Sequence, residues 1–578
     1  MTISGYRNNF FRNLIFVGLL SLAAFFIYLP PELGAALTIP PDSSEYSICL
    51  ANLFEHGRFG FTLNGEWYPS RYAPWFPLSC LVPAYFLSGG NVLCLHWAIL
   101  AFALSLLIVI WKMGSLCGMG RLSILPPILL MFMPDFLFYS RIVMTEIPYA
   151  ALVAFVALVF VRFANLPQVS VKYCFCVGLL IAWSGLVRST GYTLVVPFGV
   201  VIFLKSRMNW KKGFVLLSVI GLPTAVAQLV NMWFNWRVFG SPFRSGYHYW
   251  CAVPMDFPDL VFNLKYVVPT AIGLLQQPII QATLVFFCVS LMFAIYIVVT
   301  KGFREYRSFL LLVGYVSFHS LVLVLLYLGY YWIDTRFFFP ITICSLLLFL
   351  VTVNSLLSKL GAVVRTLLAL VVVVLCILLE IKSPARYLYM AERRPVWLAQ
   401  AQISGAVLPS GAIVIQRGDP NVIEYFGFKR KGLVLYPFSR EVDYVMRMTA
   451  PSRVTNLVDA PESWDQFIIP KLVDSGVCSM PFPNAFEECP EKVCEYIASG
   501  RRVFLLQNHF VSKESYERFK SRLEGMGFSL KLFGIWNVPR IAPNPLRHLY
   551  ERLLFPDDAM DTRPEITAIY YEIIPVRM

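Results

Sequence analysis

Charge is scarce in this chain. Only 14% of its 578 residues are Asp, Glu, Lys or Arg, where a soluble globular protein carries about 25%, and the deficit excludes an ordinary water-soluble fold. The short signatures of nucleotide and hydrolase chemistry are missing too: no P-loop, dinucleotide fingerprint, G-x-S-x-G, H-E-x-x-H or C-x-x-C occurs. Neither nucleotide-driven chemistry nor a serine or zinc hydrolase therefore has a foothold. No N-x-S/T sequon occurs either, which favours a bacterial periplasm over a lumen where Asn-linked glycans are added. The thirteen cysteines stand mostly alone inside apolar runs, and Cys174-Phe-Cys176 lacks the spacing of a zinc site. They read as small hydrophobes. In the polar C-terminal part only Cys478, Cys489 and Cys494 occur, enough for one disulfide with one thiol left over.

What is present is apolar length. The chain is 58% hydrophobic with a mean hydropathy of +0.65, and apolar runs close to the roughly 20 residues of a membrane span recur along it. Candidates lie near 13–30, 91–112, 122–138, 147–163, 173–188, 191–205, 213–235, 279–300, 308–328, 337–357 and 362–381. These make about eleven transmembrane helices. Arg7 and Arg12 precede the first run, which has no small-residue cleavage site and is expected to stay as an anchor. The formal charge of +14 would suit nucleic acid, but the basic residues cluster between apolar runs. With Arg7 and Arg12 inside, Lys112, Arg121, Arg162, Lys172, Lys205, Lys211, Lys212, Lys301, Arg304, Arg307, Lys359 and Arg365 all fall on the cytoplasmic side, as the positive-inside rule requires. No nucleic acid is expected as a partner. The stretch Ala73 to Leu87 is apolar but broken by Pro74, Pro77 and Pro83, and counting it as a span would invert every later loop. It is read as a juxtamembrane or re-entrant helix.

After Ile381 the pattern changes. Strand-like runs AIVIQ, LVLY, FIIP, VFLLQ and AIYYEII alternate with helical stretches such as SKESYERFKSRLEGM. The expected organisation is a transmembrane module over 1–385, with a first outer loop at 31–90, and a soluble α/β domain over 386–578 on the outer face.

Charged residues at the edges of spans are the candidates for chemistry. In IPPDSSEYSICLANLFEHGRFGF, Asp42 and Glu45 fit a capping box, in which the fourth residue reaches back to the helix start; they also place two carboxylates at the bilayer edge. Arg71 in YPSRYAPWFPL either snorkels to lipid headgroups or holds an anion. Glu146 in RIVMTEIPYA suits a helix N-terminus electrostatically and faces the same side as Asp42. Arg188 in GLVRSTGY needs a carboxylate or phosphate partner. His248 in SGYHYW is read either as a hydrogen-bonded interfacial residue or as a ligand, base or phosphate contact, and Asp334 and Arg336 sit among aromatics that suit an interfacial belt. A lipid-linked phosphate sugar matches such a set: its phosphate leaves without ATP, its headgroup requires arginine or lysine, and the acceptor needs one carboxylate as base.

The segments PDSSEYSICLANLFEHGRFGF, SRYAPWFPL, RIVMTEIPY, VRSTGYTLVVP, NWRVFGSPFRSGY and DTRFFFP stand in one order on one face. In this the first 340 or so residues resemble the polyprenyl-phosphate-dependent GT-C glycosyltransferases, the superfamily of protein O-mannosyltransferases and lipid A aminoarabinose transferases. The resemblance implies a GT-C fold, inverting transfer, Asp42 as the catalytic carboxylate and Glu146 as a second acidic cavity residue; Glu45, where this chain departs from the family pattern, is a candidate either to share or to replace part of the role of Asp42. It implies substrate binding by Arg71, Tyr72, Arg188, Tyr247, His248, Asp334 and Arg336. The expected partners are a polyprenyl-phosphate-linked sugar donor, a glycan, lipid or protein acceptor, and membrane lipids. No metal ligand is assigned, and dependence on a divalent metal stays open. Two departures stand out: Asp42-Ser-Ser-Glu45 replaces adjacent acidic residues, and Trp75 replaces a common glycine in the short helix. The rival readings are a transporter or flippase, which usually shows paired repeats and ionisable groups at mid-membrane, and a polymerase or ligase of lipid-linked glycans.

Overall fold

The computed structural model describes residues 42–64, 66–140, 142–206, 209–243, 277–300, 306–327, 335–357, 396–416, 424–437, 490–507, 513–539 and 565–576, with a few isolated positions. The expected spans at 13–30 and 362–381 lie outside the described residues, as does the FIIP segment. So do Tyr247, His248 and Asp334.

The first outer loop opens with α1 (Asp42–His56), whose first turn carries Asp42 and Glu45 and whose last turn carries His56. Gly57, at φ +70, ends it in the left-handed conformation that glycine adopts without strain. The chain then makes a hairpin of β1 (Gly60–Leu63) and β2 (Glu66–Pro69). Asn52 Nδ2 donates to Gly60 O at 2.8 Å, tying hairpin to helix. Pro77–Leu87 is a short apolar helical segment, about 16 Å long at 1.5 Å per residue and too short to span. It includes α2 (Val82–Leu87).

The bundle contains six helices long and apolar enough to cross a membrane among the described residues. They are α3 (His96–Leu116), α6 (Glu146–Asn165), α9 (Trp210–Phe239), α10 (Pro278–Thr300), α11 (Arg307–Tyr327) and α12 (Phe339–Leu356). Between them run α4 (Leu125–Phe132), α5 (Pro134–Tyr139), α7 (Val171–Val187) and α8 (Val195–Lys205). Two expected spans, at 122–138 and 191–205, are thus broken or shorter than their apolar runs. Pro134 separates α4 from α5, because proline disfavours helical backbone in the residue before it and Met133 is extended there. The run at 191–205 begins as a 3-10 turn, Ser189–Leu194. α7, at 17 residues, sits at the lower limit for a span. A Cβ on Gly178 of α7 would lie 2.5 Å from Ile220 O on α9, so that glycine is what lets the two backbones pack closely.

α6 is the central helix, buried along nearly its whole length and packed against α3, α7, α11 and α12. At its Asn165 end, Lys205 Nζ donates to Phe163 O at 3.1 Å and to Leu166 O, and Arg307 Nη2 donates to Ala164 O at 2.8 Å. These are carbonyls of the last turn and C-cap of the helix, where the regular backbone bonding runs out. Lys205, Arg307 and Asn165 therefore share one end of the bundle, and Glu146 marks the other.

The C-terminal part is a five-stranded sheet in the order β4-β3-β5-β7-β6, built from β3 (Ile413–Gln416), β4 (Val434–Pro437), β5 (Val503–Gln507), β6 (Phe528–Pro539) and β7 (Glu565–Pro575). β3 pairs parallel with β4 and β5, and β7 pairs antiparallel with β5 and β6. The helices α13 (Val396–Val407), α14 (Pro490–Ala498) and α15 (Lys513–Gly525) accompany it. β6 does not appear in the sequence reading. Cys494 lies in α14, and Cys478 and Cys489 lie outside the described residues. α1 is wedged between the two regions: Tyr46, Leu50 and Ala51 join the bundle core, while Ile48 and Cys49 join Phe59, Phe61 and Tyr68 in the core under the sheet.

Candidate active site

Five elements deliver charge to the Glu146 end of the bundle. α1 presents Asp42 and Glu45 from its first turn, and the extended segment after β2 carries Ser70, Arg71 and Tyr72. Glu146 opens α6, where the helix dipole favours a carboxylate. Arg188 sits in extended backbone that breaks α7 from the following 3-10 turn. Arg336 lies in a second 3-10 turn, Thr335–Phe338, that leads into α12.

These residues form a chain of alternating charge. Arg71 Nη2 lies 2.7 Å from Glu45 Oε2 and 3.2 Å from Asp42 Oδ1. Arg336 Nη1 donates to Asp42 Oδ2 at 3.0 Å, while its Nε stands 3.9 Å from Glu146 Oε1. Arg188 Nη1 stands 3.6 Å from that same oxygen. Asp42 is thus gripped through both oxygens by two arginines, and Glu146 lies between two. Phe337 separates the like charges, its ring centre 4.8 Å from the Arg188 guanidinium and 5.3 Å from that of Arg336, which is cation–π distance. Arg188 also faces the ring of the buried Tyr149, whose hydroxyl accepts from Thr190 Oγ1 at 2.7 Å.

Exposure separates the three carboxylates. The side chains of Glu45 and Glu146 are 2% and 1% exposed, against 12% for Asp42. Asp42 is the one an outside molecule reaches. Burial, the largest influence, pushes its carboxyl up, but Arg336 and Arg71, with hydrogen bonds from Tyr72 and Arg336, hold it below the ordinary value of 3.8. It is therefore ionised at neutral pH. Oε2 of Glu146 is buried without a hydrogen-bond partner among the described residues.

Of the sequence candidates, Asp42, Glu45, Arg71, Tyr72, Glu146, Arg188 and Arg336 come together here. Glu45 does not close a capping box: both its oxygens are taken by Ser70 and Arg71. Trp75 turns to α9, its Nε1 donating to Asn231 Oδ1 at 2.7 Å. Ser70, Tyr149 and Phe337 escape sequence reasoning because none carries a charge that stands out at a span edge. Among the described residues, no group of three or more His, Cys, Asp or Glu side chains is placed to hold a metal ion.

No protein-family model matches the chain, and no curated protein matches it. Among solved structures it is similar to ArnT from Cupriavidus metallidurans bound to undecaprenyl phosphate, at 12% identity and a TM-score of 0.48, over 99% of this chain and 98% of that one. The apo state of the same protein aligns at 12% identity and a TM-score of 0.47, over 97% of each chain. The Archaeoglobus fulgidus oligosaccharyltransferase in its apo form aligns at 11% identity and a TM-score of 0.46, over 87% of this chain and 70% of that one.

Proposed function

We propose that this chain is an integral-membrane glycosyltransferase that moves a sugar from a polyprenyl-phosphate donor to a cell-envelope glycan, lipid or protein acceptor, with inversion. The observation that carries this reading is Asp42: an ionised, partly exposed carboxylate held through both oxygens by Arg71 and Arg336, with two sealed carboxylates behind it. In the proposed reaction the acceptor hydroxyl gives its proton to Asp42 while its oxygen bonds to the anomeric carbon. The bond from that carbon to the phosphate oxygen breaks, and the phosphate leaves with the electron pair. Arg336 and Arg188 are assigned to the leaving phosphate, because guanidinium N–H groups match phosphate oxygens in pairs. Glu146 orients those two arginines.

The donor enters sideways from the bilayer, and the chemistry takes place on the face that carries α1 and the sheet domain. That face is assigned to the periplasm of a bacterial inner membrane, with the N-terminus cytoplasmic. Charges gathered at one end of the spans support transfer over transport, since a transporter couples through groups near mid-membrane.

The deciding experiment incubates the purified protein with a panel of polyprenyl-phosphate sugars and envelope acceptors. Wild type is expected to transfer a sugar, Asp42→Asn to fall by about 10²- to 10⁴-fold, the usual worth of a general base, and Glu146→Gln to fall less. Transfer at the wild-type rate by both variants would remove the assignment.

A further inference from the structure

We infer that Glu45 is a positioning residue that holds segment 70–72 in place, so that Arg71 and Tyr72 fix the Asp42 carboxylate, and that it is not a second proton acceptor. The inference rests on Asp42 being the base proposed above. Its grounds are in the bonding of Glu45. Oε1 accepts from Ser70 Oγ at 2.8 Å and from the Arg71 amide at 2.6 Å, while Oε2 accepts from Arg71 Nε at 2.8 Å and lies 2.7 Å from Arg71 Nη2. An ionised carboxylate offers about four lone-pair sites, and four donors fill them. With its side chain 2% exposed, Glu45 has neither a free site nor a path to an acceptor hydroxyl.

The same four bonds fix what lies beside Asp42. Nε and Nη2 of Arg71 meet one carboxylate oxygen of Glu45, and Nη2 continues to Asp42 Oδ1 at 3.2 Å. This pairing sets the plane of the guanidinium, which a lysine ammonium could not reproduce. Ser70 Oγ, donating to Glu45, also accepts from the Tyr72 amide at 3.0 Å. Tyr72 in turn hydrogen-bonds Asp42 and stacks on Tyr46 with ring centres 4.3 Å apart. Two consecutive side chains that bond Asp42 thus hang from a backbone anchored by Glu45. The three-residue spacing on α1 puts both carboxylates on one face of the helix, so anchor and base share a rigid support.

The test is a cycle of Glu45→Gln, Arg71→Ala and the double variant, assayed for transfer, with hydrogen–deuterium exchange of the backbone amides at 70–72 read in parallel. Glu45→Gln keeps an acceptor for Ser70 and the Arg71 amide but loses the charge that grips the guanidinium. It is expected to slow transfer by about 10- to 100-fold, the scale of a small misplacement at a reacting centre. It should also shift the acid limb of the pH profile, because both the hold on the Arg71 guanidinium and the negative charge beside Asp42 change. In the Arg71→Ala background the same change should cost less than about twofold, since contacting residues acting through one another are not additive. Equal cost in both backgrounds, or an acid limb that does not move, overturns the inference. Exchange at 70–72 should quicken in Glu45→Ala, which leaves Ser70 Oγ and the Arg71 amide without their acceptor, and stay unchanged in Asp42→Asn; unchanged exchange in Glu45→Ala also overturns it. If wild type transfers nothing while exchange quickens as expected, the proposed reaction fails and the anchoring role of Glu45 stands.

Discussion

Each end of α6 is met by two cationic side chains, and the ends differ in what those cations hold. At the Asn165 end, Lys205 and Arg307 bond backbone carbonyls of Phe163, Ala164 and Leu166. At the Glu146 end, Arg188 and Arg336 meet carboxylates. A backbone carbonyl is neutral and takes up no proton at working pH, so its bond to a cation does not change with protonation. A carboxylate accepts a proton, and an incoming phosphate competes for its arginine. On the proposed function, one end of the helix is structural and the other takes part in the chemistry.

Exchanging a cation at each end tests that contrast. Arg336→Gln removes the shared partner of Asp42 and Glu146, and transfer is expected to fall by about 10²- to 10³-fold, the cost of removing one donor that stabilises a developing anion. Stability should fall by about 3–5 kcal/mol, because two buried or nearly buried carboxylates lose a countercharge. Arg307→Gln at the opposite end should keep turnover within about twofold of wild type, since the carbonyl it leaves behind takes no part in the reaction and its loss is that of a single bond. Steady-state transfer rates and thermal unfolding in the same detergent read both variants. Equal loss of turnover in the two would erase the distinction between the ends.

A smaller effect follows from the direction in which Asp42 is displaced. Its carboxyl is held below 3.8 in the folded protein. A group depressed on folding contributes stability above its unfolded value and loses that contribution as pH falls through the folded one. Wild type should therefore be more stable than Asp42→Asn at pH 6, with the difference in thermal midpoint shrinking as the pH is taken below 4. A difference that stays constant over that range would mean that the two arginines do not act on an ionised Asp42.

How much of this was legible in advance depends on distance along the chain. The apolar runs locate α3, α6, α10, α11 and α12 closely, because the length of a run and the thickness of a bilayer are the same measurement. The run at 122–138 misled because its apolar composition hides Pro134, which breaks the backbone without altering hydropathy. β6 was missed because of a bulge: Leu532 pairs with Tyr571 and Ile535 with Ile569, so two exposed side chains three residues apart lie on one face, and the alternation that marks a half-buried strand is broken between them. In the site, Asp42, Arg71, Glu146, Arg188 and Arg336 stood out singly as charges at the edges of apolar segments. Their pairing did not. Arg336 reaches Asp42 across 294 residues of chain, and nothing in either local sequence encodes the meeting. Glu45 was misread because its spacing from Asp42 fits a capping box equally well, while the donors that claim it come from a segment 25 and 26 residues further on.

The smallest expected effect lies at the Asn165 end. Lys205 Nζ donates to two carbonyls at the end of α6, where the regular helical bonding runs out. Lys205→Met keeps the apolar stem and deletes the ammonium, so it removes two hydrogen bonds without opening a cavity. At a net 0.5–1.5 kcal/mol per bond, a loss of about 1–3 kcal/mol is expected, read as a lower thermal midpoint, with transfer rate and donor affinity unchanged. Lys205→Arg should restore most of it, since a guanidinium also offers donors to both carbonyls. If Lys205→Met instead slows transfer as severely as Arg336→Gln, the end of α6 that holds only carbonyls is coupled to the chemistry, and the division of the helix into a structural and a reactive end fails.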